Sequence, residues 1–353
     1  MALVPELVPK LTQIGCEVLV QSGAGTGAGF PDCHFVEKGA RVEASVLNQA
    51  DIILKVRPPT SAEIDEMPQG ATLIGLLEPY SPTNSFQLLE ARHITAFAME
   101  LMPRIARAQS MDALSAMSAI AGYKAVLLAA NHLSKFFPLL MTAAGTMPPA
   151  RVFVVGAGVA GLEAIGTAKR LGAVVEAYDT RPAVKEEVES VGAKFVQLDL
   201  DTANAEEKGG YARAESAEFY KKQQEMMFRH VVAADVVITA ALVRGQHAPV
   251  LVTEDMVRNM RPGSVIVDLA AEQGGNCALT EPGCDVVKHD VTIIGPSNLP
   301  STMAFHASEM YARTVYNFLS HLLHEGKIQI DPDDELARAT LVTRAGEVVG
   351  QAP

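Results

Sequence analysis

The chain has 353 residues, 48% apolar by type and 20% charged, which is enough to bury a sizeable core and favours two domains. A net charge of −12 argues against a nucleic-acid partner and against electrostatic docking on anionic lipid. Four cysteines without a CxxC pair argue against a metal site or a disulfide framework and fit reduced thiols in the cytoplasm.

The start, "MALVPELVPKL", does not read as a secretory leader. The longest uncharged, largely apolar run is "FFPLLMTAAGTMPPA" at 136–150, too short to span a bilayer, so direct membrane insertion is not expected. Over residues 1–110 helical and strand patterns alternate: a helix in "PELVPKLTQIG", a strand in "CEVLVQSGAG", another in "ADIILKVRPP", and two more in "ATLIGLLEP" and "HITAFAMEL". Such alternation predicts a parallel sheet. Residues 112–137 read as a long helix, after which "GTMPPA" breaks the chain.

Candidate strands follow at 152–156, 174–178, 194–198, 235–239, 264–268 and 291–295, the six strands of a dinucleotide-binding domain. A charged insertion at 199–228 reads either as a solvated loop with a helix or as a mobile flap beside a ligand. A second long helix at about 301–324 leads back to the first domain. The expected fold class is α/β, with two Rossmann-like domains of parallel sheets separated by a cleft and joined by long helices. Residues 1–115 with 305–353 form the first domain and 116–304 the second.

The strongest motif is "VFVVGAGVAGLEAIGTAKRLGAVVEAYDT". Gly156, Gly158 and Gly161 make G-x-G-x-x-G between an apolar strand and a helix. The first glycine allows the tight turn, the second lets a pyrophosphate approach the backbone at the helix start, and the third lets helix and strand pack closely. Asp179 closes the next strand, where a carboxylate accepts hydrogen bonds from the ribose hydroxyls of NAD and repels the 2′-phosphate of NADP. Arg181 weakens that preference; it either pairs with a nearby acid or reaches a phosphate of the cofactor.

Acid–base chemistry is harder to place. The nine histidines are scattered and none sits in a catalytic motif; Lys55, in "LKVRPP", is the best basic candidate, though equally a surface lysine. The segment "MPRIARAQSMDALS" brings together Arg104, Gln109, Asp112 and Ser115. Such a set can hold a carboxamide and a ribose or phosphate without proton chemistry. Local physics alone favours helix capping by Ser110 or Asp112.

At this point the chain resembles a known family. "MELMPRIARAQSMDALS", "AGYKAV", "MTAAGTMPPARVFVVGAGVAGLEAIGTAKRLGAVVEAYDTRPAVKEEVES", "GGYA", "VVITAALVRGQHAPVLVTEDMV", "RPGSVIVDLAAEQGGNC" and "SEMYARTVYNFL" are similar to the NAD(H)-binding component of proton-translocating nicotinamide nucleotide transhydrogenase. The resemblance implies an oxidoreductase that binds NAD(H), forms a homodimer, and docks on a separate component that binds NADP(H). Both attach to a membrane-spanning, proton-translocating component, which leaves this chain in the cytoplasm, peripheral to the inner membrane. Hydride passes directly between the two nicotinamides.

The resemblance also implies site residues. Arg104, Gln109 and Asp112, with Ser115 close by, position the nicotinamide. Tyr211 belongs to a mobile loop, about 203–220, that closes over the nucleotide. Gly156, Gly158, Val159, Gly161, Asp179, Thr180, Arg181, Gly210, Ala240 and Leu242 bind the cofactor, and no metal is implied. Transfer between nicotinamides needs no general acid, because no proton travels with the hydride; it needs the rings aligned at about 3–3.5 Å.

Against that family the chain starts late, so either the first domain is expected to lack an edge strand or the start is misassigned. It carries Glu215 where relatives can have Met, and its end, "VTRAGEVVGQAP", has no hydrophobic spans, which assigns the membrane component to another polypeptide. Two alternatives stand beside this reading. Alanine dehydrogenase is similar in fold but needs a histidine after Lys55, where Leu77 stands in "TLIGLLEP". A non-catalytic NAD-sensing module would use the glycine turn alone.

Overall fold

The computed structural model describes all residues except 81–84, 199–205, 208–210, 213–216, 244, 325, 345–346 and 349–353; at 206–207, 211–212, 217–220 and 347–348 it describes the backbone alone. The chain divides into two compact units, 1–117 with 301–353, and 118–300.

In the first unit, Ile52–Leu54, Thr72–Gly75 and Thr95–Ala98 pair in parallel, as the alternating pattern predicts. The sheet is not all-parallel, however. Leu341–Arg344 pairs antiparallel with Thr95–Ala98, and Glu347–Val348 adds a further antiparallel strand. These strands come from a short tail far away in sequence, so no local pattern announces them. Ile74 and Phe97 pack into one apolar cluster while Leu73, Ala96 and Ala98 pack into another, so both faces of the sheet are covered. The helix Ala304–Leu322 supplies Tyr311, Val315 and Phe318 to the first cluster, with Phe318 edge-on to Phe97 at 5.5 Å between ring centroids.

The second unit holds a seven-stranded sheet. Its order is Lys194–Phe195, Val174–Tyr178, Arg151–Val155, Val236–Thr239, Val265–Asp268, Val291–Ile294 and Asp285–Lys288. The first six are parallel and run 3-2-1-4-5-6, the order that leaves a ligand crevice beside the carboxyl end of the first strand. The seventh, Asp285–Lys288, is antiparallel and was not expected from the sequence. Val152 and Val154 point to one core, Phe153 and Val155 to the other, which explains the unbroken apolar run of this central strand.

Two further expectations change. "GTMPPA" does not simply break the chain: Leu140–Thr142 and Gly145–Met147 form a short antiparallel hairpin. And 136–150 is not the best membrane-length candidate. Among the described residues one helix, Ala113–His132, is long and apolar enough to cross a membrane, with mean hydropathy 1.5. Lys124 interrupts it, so it does not stand out as an uncharged run. Its Ala125, Val126 and Ala129 are fully buried in the core of the second unit, and a Cβ at Gly122 would stand 2.1 Å from the Ala160 carbonyl oxygen. That is the packing of a domain helix.

Candidate dinucleotide site

The glycine turn is built by exclusion. Gly156 has φ +95°, and a Cβ there would stand 2.8 Å from the Ala240 backbone. A Cβ at Gly161 would stand 1.8 Å from the Gly156 carbonyl oxygen, so the helix Val159–Arg170 lies directly against the turn. Gly158 differs: its φ of −76° suits any residue, and a Cβ would meet nothing within 4 Å. The described residues give no reason for glycine here, whereas a ligand approaching the backbone does. Among the described residues no side chain caps the helix, which leaves its first amides to an anion.

Asp179 is engaged rather than open. Its Oδ2 accepts from the Ala157 amide at 2.8 Å and from Arg181 Nη2 at 3.0 Å; its Oδ1 accepts from the Arg181 amide and Nε, both at 2.9 Å. Arg181 therefore takes the first of its two expected roles, pairing with a nearby acid, and the acid is Asp179. The carboxylate is tied to the turn and half neutralised. Thr180 lines a cleft with Tyr178, Pro182, Lys185 and Phe195 just beyond it. Ala240 extends the central sheet by donating its amide to the Val155 carbonyl at 2.7 Å. Val159, 42% exposed, and Leu242, 38% exposed, are apolar side chains left to solvent on this edge. With the clear approach at Gly158 and the free helix start, this edge fits a nicotinamide dinucleotide.

In the first unit, Arg104 and Gln109 are exposed on the segment leading through the 3-10 turn Ala106–Met111, whose Ala108 is buried as an anchor. Asp112 and Ser115 are brought together: Asp112 Oδ1 accepts the Ser115 amide at 2.9 Å, and Asp112 Oδ2 accepts the Ser115 hydroxyl at 2.6 Å. The capping expected from local physics is thus made by Asp112, not Ser110.

Lys55 forms an ion pair with Glu63, which also closes a capping box with Thr60, so its amine is occupied structurally. Leu77 is buried. Backbone at Tyr211–Ala212 pairs with Glu206–Glu207, but the Tyr211 side chain, Gly210 and Glu215 lie outside the described residues.

Sequence reasoning passed over three residues. Asn317 Nδ2 donates to the Ser110 carbonyl at 2.8 Å, and Arg107 pairs with Asp334 and Glu335, so the 104–115 loop is held from residues more than 200 positions away. No local signal could have found them. Asn276 holds the loop after Val236–Thr239; the glycine pair before it was its only signal.

Models of the alanine dehydrogenase/PNT N-terminal and C-terminal domains match residues 1–121 and 125–351. Among curated relatives, a chain of Rhodospirillum rubrum named as the first portion of NAD(P) transhydrogenase subunit alpha is 49% identical, the match covering 99% of this chain and 94% of that one. An alanine dehydrogenase of Halomonas elongata is 30% identical over 99% and 91%. Among solved structures, a transhydrogenase from Sinorhizobium meliloti aligns with a TM-score of 0.89 at 44% identity, covering 99% of this chain and 95% of that one. The chain belongs to the alanine dehydrogenase/PNT family, as an NAD(P) transhydrogenase alpha-type subunit.

Proposed function

We propose that this subunit binds NAD(H) and exchanges hydride directly with NADP(H) held by a separate partner component, both attached to a membrane-spanning component that translocates protons. When bound, the nicotinamide supplies the hydride or accepts it. The glycine turn and the start of Val159–Arg170 hold the pyrophosphate, Asp179 with Arg181 faces the ribose, and Arg104, Gln109, Asp112 and Ser115 orient the nicotinamide. Gly210 and Tyr211 close over the nucleotide. The chain works at the cytoplasmic side of the membrane through its partners. A homodimer is supported by the apolar exposure around the hairpin, where Leu139 is 54% and Met141 76% exposed.

The observation that carries this reading is a built dinucleotide turn in a chain whose best acid–base candidates are spent. Lys55 is paired with Glu63, and Leu77 is buried and apolar. Reduction of a keto acid needs proton transfer, while exchange between two nicotinamides does not. The test is reconstitution with a purified NADP(H)-binding component. Gln109→Asn should slow hydride transfer far more than it weakens NADH binding; equal losses would refute the positioning role. Turnover of NADH with pyruvate and ammonia would assign the chain to alanine dehydrogenase chemistry instead.

A further inference from the structure

The carboxyl ends of two neighbouring strands in the second unit carry a buried polar network that the proposed function does not use. Thr239, Asp268 and Asn276 each have no measurable exposure. Asp268 accepts four hydrogen bonds: from the Thr239 hydroxyl at 2.9 Å, the Ala270 amide at 3.0 Å, the Cys277 amide at 3.0 Å and the Thr280 hydroxyl at 2.7 Å. It thereby fixes the turn that presents Asn276. The turn needs Gly274 at φ +98° and Gly275 at φ +82°.

Asn276 then treats Ala241 as a strand partner would. Its Oδ1 accepts the Ala241 amide at 3.0 Å, and its Nδ2 donates to the Ala241 carbonyl at 2.9 Å and the Pro249 carbonyl at 2.8 Å. One carboxamide thus satisfies both backbone groups of Ala241 and closes the loop to Pro249. Ala241 sits between Ala240, which lies against Gly156, and Leu242, which is exposed. A fully satisfied buried network of this kind rigidifies what it holds.

We propose that Asn276 is a positioning residue for nucleotide binding: it holds Ala240–Leu242 in the bound conformation before the ligand arrives. The inference rests on the reading that this edge binds NAD(H). Preorganisation lowers the ordering cost of binding, so its loss appears in affinity as well as in stability.

Asn276→Asp tests it. The ionised side chain keeps the acceptor for the Ala241 amide but turns a carboxylate oxygen toward two carbonyls. Burial and those carbonyls raise its pKa, and the protonated form regains one donor. The NADH dissociation constant of Asn276→Asp should exceed wild type by about tenfold near pH 8, because both hydrogen bonds donated by Nδ2 are lost and part of that cost falls on binding. That ratio should shrink, while staying above one, as pH falls to about 5.5 and one of the two donated bonds returns. Of the titratable neighbours Asp268, His247 and Cys277, Asp268 is an acid beside the introduced one and adds to the rise in its pKa. Asp235→Asn breaks ion pairs just before the strand Val236–Thr239 and touches neither Ala241 nor the Asp268 turn, so it should lower the melting temperature and leave the dissociation constant unchanged.

A ratio independent of pH, or an equal affinity loss in Asp235→Asn, would overturn the proposal in favour of a structural role. If Asn276→Asp does not fold, amide exchange in the wild type decides. The Ala241 amide should be as protected as Ile238 before NADH is added; protection gained only on adding NADH would overturn preorganisation. Absence of NADH binding by the wild type would count against the nucleotide reading itself.

Discussion

The two α/β units both present polar groups at the carboxyl ends of parallel strands, but they secure them differently. In the second unit the backbone does the work. Gly156 and Gly161 leave no room for a Cβ, and Asp179 is pinned by the amides of Ala157 and Arg181. In the first unit the loop 104–115 is secured by side chains from the distant helix Ala304–Leu322 and the segment after it. A site fixed by backbone exclusion tolerates almost no substitution; one fixed by single side-chain contacts should lose function in small steps.

The largest effect expected comes from paired glycine substitutions. Gly161→Ala forces a Cβ into the Gly156 carbonyl and should both lower the melting temperature and abolish measurable NADH binding. Gly158→Ala has room and an ordinary φ, so it should melt within about a degree of wild type while NADH affinity falls by about tenfold or more. Fluorescence titration beside thermal melts separates the two. Equal behaviour in both variants would break the argument that Gly158 is reserved for a ligand.

Next is Asp235, a buried acid of the second unit. Burial works to raise its pKa, but Lys135 at 2.6 Å, the Arg151 amide at 3.0 Å and Arg261 at 3.4 Å hold it below the ordinary aspartate value of 3.8. A depressed folded pKa contributes stability above the unfolded value and loses it as pH falls through the folded one. Asp235→Asn should therefore cost about 2 kcal/mol at pH 7, with the difference from wild type closing below about pH 4. Denaturant titrations across that range check it.

On the first unit's side, Asn317→Ala removes one hydrogen bond to the Ser110 carbonyl, worth about 1 kcal/mol. Hydride transfer in the reconstituted system should fall about fivefold, with NADH affinity nearly unchanged. A hundredfold loss would show that the first unit's loop is as tightly determined as the glycine turn.

The same contrast governs what the sequence could disclose. The turn at 156–161 and the strands flanking it are legible because every constraint acts within a few residues. Asn276 reaches Ala241 across 35 positions and Asn317 reaches Ser110 across 207, so their side chains look like ordinary polar surface until the fold is known. Asp179 was legible as a strand-end acid, but its saturation by Arg181 was not, since a neighbouring cation can turn toward the acid or toward a ligand. The hairpin 140–147 was hidden by the prolines beside it and by strands too short and exposed to show alternation.

The smallest effect expected sharpens the comparison between the units' buried acids. Glu100 follows the strand Thr95–Ala98 and accepts the Glu78 amide at 2.6 Å, but its Oε2 is buried with no hydrogen-bond partner among the described residues. Burial raises its pKa, the Glu78 charge adds to the rise, and backbone amides offset it only in part, where Asp235 has two cations beside it. The sign is opposite to that of Asp235: a raised folded pKa contributes stability below the ordinary glutamate value of 4.5 and loses it as pH rises through the folded value. Glu100→Gln keeps a carbonyl oxygen for the Glu78 amide and removes the charge. It should melt a few degrees above wild type near pH 8 and no higher than wild type near pH 4. A lower melting temperature at both pH values would mean that the ionised carboxylate holds the Glu78 turn, whose φ of +53° is strained for a glutamate, and that this acid too is secured by the backbone it binds.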